Sequence, residues 1–376
     1  MSPRLLFFSN LFPTSLEPYR GLDNATILRA LVPEFDIRVL SPRPVLPWTP
    51  RGFTGRAEDS AFRPRWVPAA YLPKIGGPVN HLLMAGSLRK AFEETLRSFR
   101  PDVILSSWIY PDSCAAIGLA GRRVPVVAIA QGSDVHQYLN MPGRRRVILK
   151  MLPRAAKVIT RSGELGRILA GVGFTVGSLD IVYNGVALDT YQPRDKAFAR
   201  QDLGLAELGK IVLFVGNFYT IKNPMLLIRA VARLGVTLVM AGGGPLEGEC
   251  RELAVTLGAK VIFKGRQAPG EIARLMNAAD VLAIPSKNEG VPNVLLEAFA
   301  SGLPVVASNV GGIPEVLDQE ALGCLFPAGD EGALVAALEK QLAAPRDTAA
   351  IRRHGERFSW EATAAKYREI LLGAMP

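Results

Sequence analysis

The chain has 376 residues, 49% of them hydrophobic, and a formal net charge of +10 at neutral pH, a length that accommodates two domains with substantial cores. Its three cysteines, Cys114, Cys250 and Cys324, are far apart and lack CxxC or Cys/His spacing, which argues against a disulfide framework or a zinc site. No apolar run approaches the ~20 residues of a membrane span, and the opening MSPRLLFFSNLFP is too short and interrupted for a signal peptide, so a reduced, cytoplasmic protein is expected.

Apolar strand-like runs alternate with helix-like segments along the whole chain, the pattern of a doubly wound α/β sheet. In the first half, strands are expected at residues 4–9, 35–40, 103–107, 124–130, 157–160 and 179–183, with an amphipathic helix over 79–99. The stretch 42–78, heavy in Pro, Arg and Gly, carries no readable element. After the first strand, Gly21 stands at the start of a helix. After the strand 124–130 comes Gln131-Gly132-Ser133-Asp134. Gln131 can hydrogen-bond a hydroxyl but cannot exchange a proton. His136 is the nearest imidazole, and a structural role outweighs a catalytic one for it.

The excess charge is one-sided, with 24 Lys and Arg against 14 Asp and Glu up to Thr190 and 20 against 20 beyond it. Arg144-Arg145-Arg146, followed by Val147, Ile148, Leu149, Lys150, Met151 and Leu152, reads as a basic amphipathic helix. Such a helix suits either an anionic membrane surface or a solvated face over a core-facing stripe. Nucleic acid is not expected, because no aromatic platform or binding motif accompanies the charge.

Residues 183–210, polar and rich in turn formers, read as a linker. A second series of strands follows at 210–215, 236–241, 260–263, 280–285 and 304–307. The first of these ends in a loop that runs from Gly216 and Asn217 to Lys222, ahead of a helix at 225–234, which places the lysine at the edge of the sheet. Gly242-Gly243-Gly244-Pro245 closes the next strand, and such a loop either lets a ligand approach the backbone or simply turns. Arg266 follows the third strand at Gly265.

The most informative stretch is EGVPNVLLEAFASGLPVVASNVGGIPE, residues 289–315. A strand buried on both faces runs into a polar loop with Glu289 and Gly290. Pro292 and Asn293 then signal a helix start, and Ser301-Gly302 its stop. This order places the loop at the carboxyl edge of a parallel sheet, where open α/β folds bind ligands. The unpaired N–H groups of the helix start suit a pyrophosphate. Glu297, about a turn further in among Leu295, Leu296, Ala298 and Phe299, needs hydrogen-bond partners. The vicinal hydroxyls of a ribose would supply them, and Glu289 could take hydroxyls of a transferred sugar. Taken alone, two glutamates at this spacing read more readily as solvated surface side chains, and it is the surrounding pattern that reverses the preference.

The pattern resembles the retaining GT-B glycosyltransferases of the glycosyltransferase group 1 family. Its signature is two Glu separated by seven residues, then G-x-P-V-V-A and G-G-x-P-E, present here as Glu289, Glu297, Gly302-Leu303-Pro304-Val305-Val306-Ala307 and Gly311-Gly312-Ile313-Pro314-Glu315. The resemblance implies a GT-B fold of two Rossmann-like doubly wound domains facing a central cleft and closing about Asn184-Gly185. Residues 1–186 would hold the acceptor, residues 187–357 the nucleotide-sugar donor, and a helix within 358–376 would cross back onto the first domain. It further implies that Glu289 contacts the donor hexose, Glu297 the ribose, and Gly290, Val291, Pro292 and Asn293 the rest of the donor. Lys222 would neutralise the departing pyrophosphate, with Gly243 and Gly244 near the nucleotide and Gly21 as the glycine loop of the first domain.

Some positions depart from the family pattern. Asn217 stands where an Arg usually precedes the Lys, with Arg266 the candidate to compensate, and Gln131 stands where many relatives have His. The resemblance implies same-face attack, with Lys222, Glu289 and Gln131 as the catalytic set and the departing phosphate taking the acceptor proton. No motif supports the covalent carboxylate of retaining glycosidases, and no DxD-like pair accompanies the donor motif, so neither metal nor cofactor is expected. The partners implied are a UDP- or GDP-linked sugar, a glycan, lipid-linked or small-molecule hydroxyl acceptor, and an anionic membrane surface met by the basic first domain. The alternatives are a sugar-nucleotide epimerase or hydrolase on the same fold, a phosphorylase-like enzyme whose cofactor lysine has no supporting motif, and a non-catalytic sugar-nucleotide-binding subunit.

Overall fold

The structure, a computed structural model, describes residues 2–14, 16–17, 20–46, 62, 64–174 and 179–376. Much of the unreadable stretch 42–78 therefore lies outside the described residues. The chain divides into two compact units, Met1–Tyr183 with Thr363–Pro376, and Asn184–Ala362.

The first unit runs β1 (Arg4–Phe8), α1 (Leu22–Leu31), β2 (Asp36–Val45), β3 (Arg65–Ala70), α2 (Asn80–Phe99), β4 (Val103–Ser107), α3 (Cys114–Ala120), β5 (Val126–Ala130), α4 (Ser133–His136), α5 (Pro142–Met151), β6 (Lys157–Thr160), α6 (Gly163–Gly171) and β7 (Leu179–Ile181). Its seven strands are parallel in the order β3-β2-β1-β4-β5-β6-β7. The central strands β4 and β5 are buried at every residue, as expected of strands covered on both faces. Along α2, Met84, Leu88, Ala91, Phe92, Thr95 and Phe99 are buried, one stripe at helical spacing. The helix stops at Arg100, which takes a left-handed conformation before Pro101.

β2 continues five residues past its expected end and β3 was not expected at all. Pro42 and Pro44 argued against a strand there. Past Leu40, however, β2 keeps only β3 as a neighbour. Tyr71 donates from its backbone N to the carbonyl of Val45 at 2.9 Å, so Ser41, Arg43 and Val45 face β3. The two prolines, lacking N–H groups, point to the open side, where no ladder is needed.

The second unit runs α7 (Lys196–Asp202), β8 (Ile211–Val215), α8 (Pro224–Leu234), β9 (Thr237–Ala241), α9 (Glu247–Thr256), β10 (Val261–Gly265), α10 (Pro269–Ala278), β11 (Val281–Ile284), α11 (Asn293–Ala300), β12 (Val305–Ser308), β13 (Gly323–Phe326), α12 (Glu331–Ala343) and α13 (Thr348–Glu356). Six parallel strands lie in the order β10-β9-β8-β11-β12-β13. Both sheets thus reverse direction once, between β1 and β4 and between β8 and β11, the Rossmann-like doubly wound arrangement.

The expected linker 183–210 is not all loop. Asp195 caps α7 inside it by accepting from the backbone N of Phe198 at 2.6 Å, and Lys196 and Arg200 both pair with Asp280 at 2.5 and 2.8 Å. A last helix, α14 (Trp360–Ala374), carries the chain back into the first unit. There Tyr367 and Leu371 are buried, and the Arg161 guanidinium lies 5.6 Å from the Tyr367 ring centroid. Among the described residues no helix is long and apolar enough to cross a membrane.

Candidate functional site

In the second unit the strand order reverses at β8 and β11, so the loops at their carboxyl ends flank one crevice. The backbone ties these loops together, since Lys287 N donates to Ile221 O at 2.8 Å. At this tie Lys222 Nζ contacts Glu289 Oε1, a pair 67 residues apart, and Ser286 Oγ donates to the same oxygen at 2.8 Å. The Glu289 side chain is only 12% exposed, which removes the solvated-surface alternative for it.

Glycines explain how the loops come so close. Gly311 has φ 57°, and a Cβ built on it would lie 1.6 Å from Glu289 O. Gly312 N donates to Gly290 O at 3.1 Å. The G-G-x-P-E segment is thus the backing of the Glu289 loop. Gly242 does the same for the β8 loop, with φ 145° and a Cβ position 1.8 Å from Gly216 O. Phe218 N donates to the carbonyl of Gly243 at 3.1 Å, and a Cβ on Gly244 would meet the Phe218 backbone at 2.8 Å. The close approach that this glycine loop permits is therefore first of all to its own neighbouring backbone. Arg266, exposed at the end of β10, runs alongside, its Cγ and Nε 3.9 Å from the Cβ position of Gly243. Asn217, on the same edge, is exposed.

α11 begins after its N-cap Pro292, which is extended and supplies no side-chain cap. The start of the helix therefore offers N–H groups toward the crevice side of the sheet. Asn293 is held by Asn184, whose Nδ2 donates to Asn293 Oδ1 at 2.8 Å. Val291 is half-buried and Pro292 buried. Glu297, one turn in, is hydrogen-bonded to the phenol of Tyr191, and burial together with the Glu297 carboxylate pushes that phenol well above its ordinary pKa. Tyr191 was missed by sequence reasoning, and the available signal was a large aromatic within a polar linker.

Gly21 and Gln131 lie in the first unit, whereas Asn217, Lys222, Gly243, Gly244, Arg266, Glu289, Gly290, Val291, Pro292, Asn293 and Glu297 lie in the second. Gly21 is the N-cap of α1. The side-chain amide of Gln131 donates to Ser107 Oγ at 2.7 Å and to Asn24 Oδ1 at 3.1 Å, which leaves its carbonyl oxygen as the group able to accept from a hydroxyl. Asp134, fully buried, takes the backbone N of Gln131 and of Gly132 on one oxygen and that of Ile109 on the other, at 2.8–2.9 Å. His136 lies 3.3 Å from Glu164, which raises its pKa and fits the structural role expected of it.

The sequence reading missed a buried network beside Gln131. Asp112 is fully buried and accepts from both the backbone N and the side-chain amide of Asn10. Asn10 in turn receives Arg20 on its side-chain oxygen at 2.6 Å and on its carbonyl at 3.1 Å. Burial pushes the Asp112 carboxyl up to about 7, and its second oxygen has no hydrogen-bond partner among the described residues. Among the described residues no group of three or more His, Cys, Asp or Glu side chains could hold a metal ion.

Comparison with known proteins bears on both units. Residues 209–344 match the family model described as Glycosyl transferases group 1, and residues 12–190 match that described as Glycosyltransferase Family 4. The D-inositol 3-phosphate glycosyltransferase of Mycobacterium tuberculosis (strain H37Rv) is 33% identical over 283 residues, 70% of this chain and 58% of that protein. The chain thus spans less than two thirds of the length of this curated relative. Two solved structures share the fold across 99% of this chain and 100% of their own, sucrose-phosphate synthase from Thermosynechococcus elongatus, with TM-score 0.73 and 23% identity, and HepE of Anabaena in complex with UDP, with TM-score 0.76 and 20% identity.

Proposed function

The chain belongs to the group 1 glycosyltransferases of GT-B fold, and from that premise we propose that it moves a hexose-type sugar from a UDP- or GDP-linked donor to a hydroxyl acceptor with retention of configuration. The observation that carries this reading is the Lys222–Glu289 contact at the β8/β11 switch point, beside the uncapped start of α11. HepE has been solved with UDP-glucose, which supports a UDP-linked donor as the first to test. A neighbour of the same fold is the lipopolysaccharide outer core galactosyltransferase WaaB, 16% identical with TM-score 0.75, in keeping with a glycan or lipid-linked acceptor in cell-surface glycoconjugate synthesis, made at the cytoplasmic face.

In this reading the pyrophosphate lies at the start of α11, the ribose hydroxyls on Glu297, and hexose hydroxyls on Glu289. As the bond from the sugar carbon to the β-phosphate oxygen breaks, negative charge grows on that phosphate. Lys222 and the N–H groups of Asn293 and Val294 meet the charge where it develops, so their contribution is larger in the transition state than in the bound donor. The acceptor oxygen bonds to the sugar carbon on the face the phosphate leaves, and its proton passes to a β-phosphate oxygen. The Gln131 carbonyl oxygen, which meets no donor among the described residues, is in this reading the group of the first unit that accepts from an acceptor hydroxyl. No step requires a metal ion.

The test is an assay of nucleotide release with and without acceptor, with the anomeric configuration of the product read by NMR. Retention and acceptor-dependent release are expected, and Lys222→Ala should lower kcat about 10²–10³-fold. An inverted product would contradict the same-face route. Release at an undiminished rate without acceptor would identify a hydrolase, and tight nucleotide binding with no turnover of any donor would identify a binding subunit.

A further inference from the structure

Away from the candidate donor site, the first unit has a groove of about 610 Å³ between α2, α3 and α5. Its floor is apolar and small-sided, with Ala85, Ala115, Gly118 and Met151. One wall is basic. Arg146 and Lys150 stand on successive turns of α5, and Arg154 follows in the next. All three are exposed, and among the described residues Arg146 and Lys150 pair with no carboxylate while Arg154 meets only Met151 Sδ at 3.6 Å. His81 also lines the groove. It is 8% exposed, and its Nδ1 is buried without a hydrogen-bond partner, a position that costs free energy unless something polar reaches it.

The rim completes the pattern. Val79 is the N-cap of α2 and Met141 that of α5. These helix starts adjoin, since a Cβ on Gly143 would lie 2.9 Å from Pro78 Cγ. Leu82, which lines the groove, and Val79 and Met141 at the two helix starts are exposed. Apolar side chains at the mouth, cations along one wall and an apolar floor are the arrangement by which interfacial helices hold an anionic bilayer surface.

We propose that this groove takes the hydrocarbon chain of an anionic membrane lipid, with the lipid phosphate on Arg146, Lys150 and Arg154. A free phosphate would use the cations but leave the apolar mouth unexplained. A nucleic acid would need stacking aromatics, which the lining lacks. The inference deepens the expectation that the basic first domain meets an anionic membrane and rests on that expectation, not on the donor site.

The test is co-sedimentation of the full chain with phosphatidylglycerol-containing vesicles and with pure phosphatidylcholine vesicles, at low and high salt. Binding is expected to the anionic vesicles, weakening with salt, and to fall about tenfold in Arg146→Glu/Lys150→Glu. Ala85→Phe, which fills the floor, and Leu82→Ser, an exposed rim change that leaves the core alone, should each weaken binding several-fold with the charge intact. Wild-type binding by both of these variants would overturn the groove, leaving only a charged surface. So would absence of binding to anionic vesicles, or thermal stabilisation by inorganic phosphate alone. All variants should keep the wild-type thermal response to nucleotide, so failure here is distinguishable from failure of the donor reading.

Discussion

Tyr191 and Asp112 are two side chains whose importance depends on one carboxyl group each. The Tyr191 phenol is hydrogen-bonded to Glu297, so Tyr191→Phe should weaken nucleotide binding by roughly ten- to a hundredfold, the loss of about one hydrogen bond to a charged group. Titration calorimetry would show it, and an unchanged Kd would mean that Glu297 needs no such positioning. Asp112 predicts a pH dependence. Its carboxyl is raised from 3.8 to about 7 by burial, so the folded state favours the neutral acid. That contribution is fully present below the unfolded value and is lost as pH rises through about 7. Asp112→Asn is uncharged at every pH, so its melting temperature relative to the wild type should climb between pH 5 and pH 8. A constant difference across that range would show that Asp112 does not titrate there.

At the level of elements, the loops that carry Glu289 and Gly216 are braced by backbone that passes where a side chain would stand. Gly311→Ala must move the Glu289 carbonyl, and Gly242→Ala that of Gly216, each from a positive φ. Each should cost about 2 kcal/mol or more in urea denaturation, and Gly311→Ala should also lose the nucleotide response because the Glu289 loop shifts. Core strands were legible because burial on both faces leaves an unbroken apolar run, and residues 103–107 and 157–160 coincide with β4 and β6. The misses share a physical cause, which is that few of their residues face the core. β3 is mostly half-exposed and contains Pro68, and β13 is four residues opening on a glycine. α7 buries only Ala199 and leaves Phe198 exposed, so no stripe marks it as a helix.

For the whole molecule, the site was legible as far as topology could carry it. Two strand-loop-helix units place Lys222 and Glu289 on one sheet edge, and a doubly wound order brings β8 beside β11. What topology does not specify is pairing at long range. Asn10 meets Asp112 across 102 residues, and Tyr191 reaches Glu297 from a segment that looks like linker, so neither is visible in a local window. The net charge of +10 lies entirely in residues 1–190, and residues 191–376 are balanced. The claim that this second unit is a nucleotide-sugar site is tested most directly by thermal melts of the wild type and Glu297→Ala with UDP, GDP, ADP and their sugar derivatives. At about a hundred times its dissociation constant a ligand stabilises the fold by ~2.7 kcal/mol, a readily measured rise in Tm. The expected result is a rise with one nucleotide series in the wild type that is lost in Glu297→Ala. No rise with any nucleotide, or an equal rise in both proteins, would contradict it.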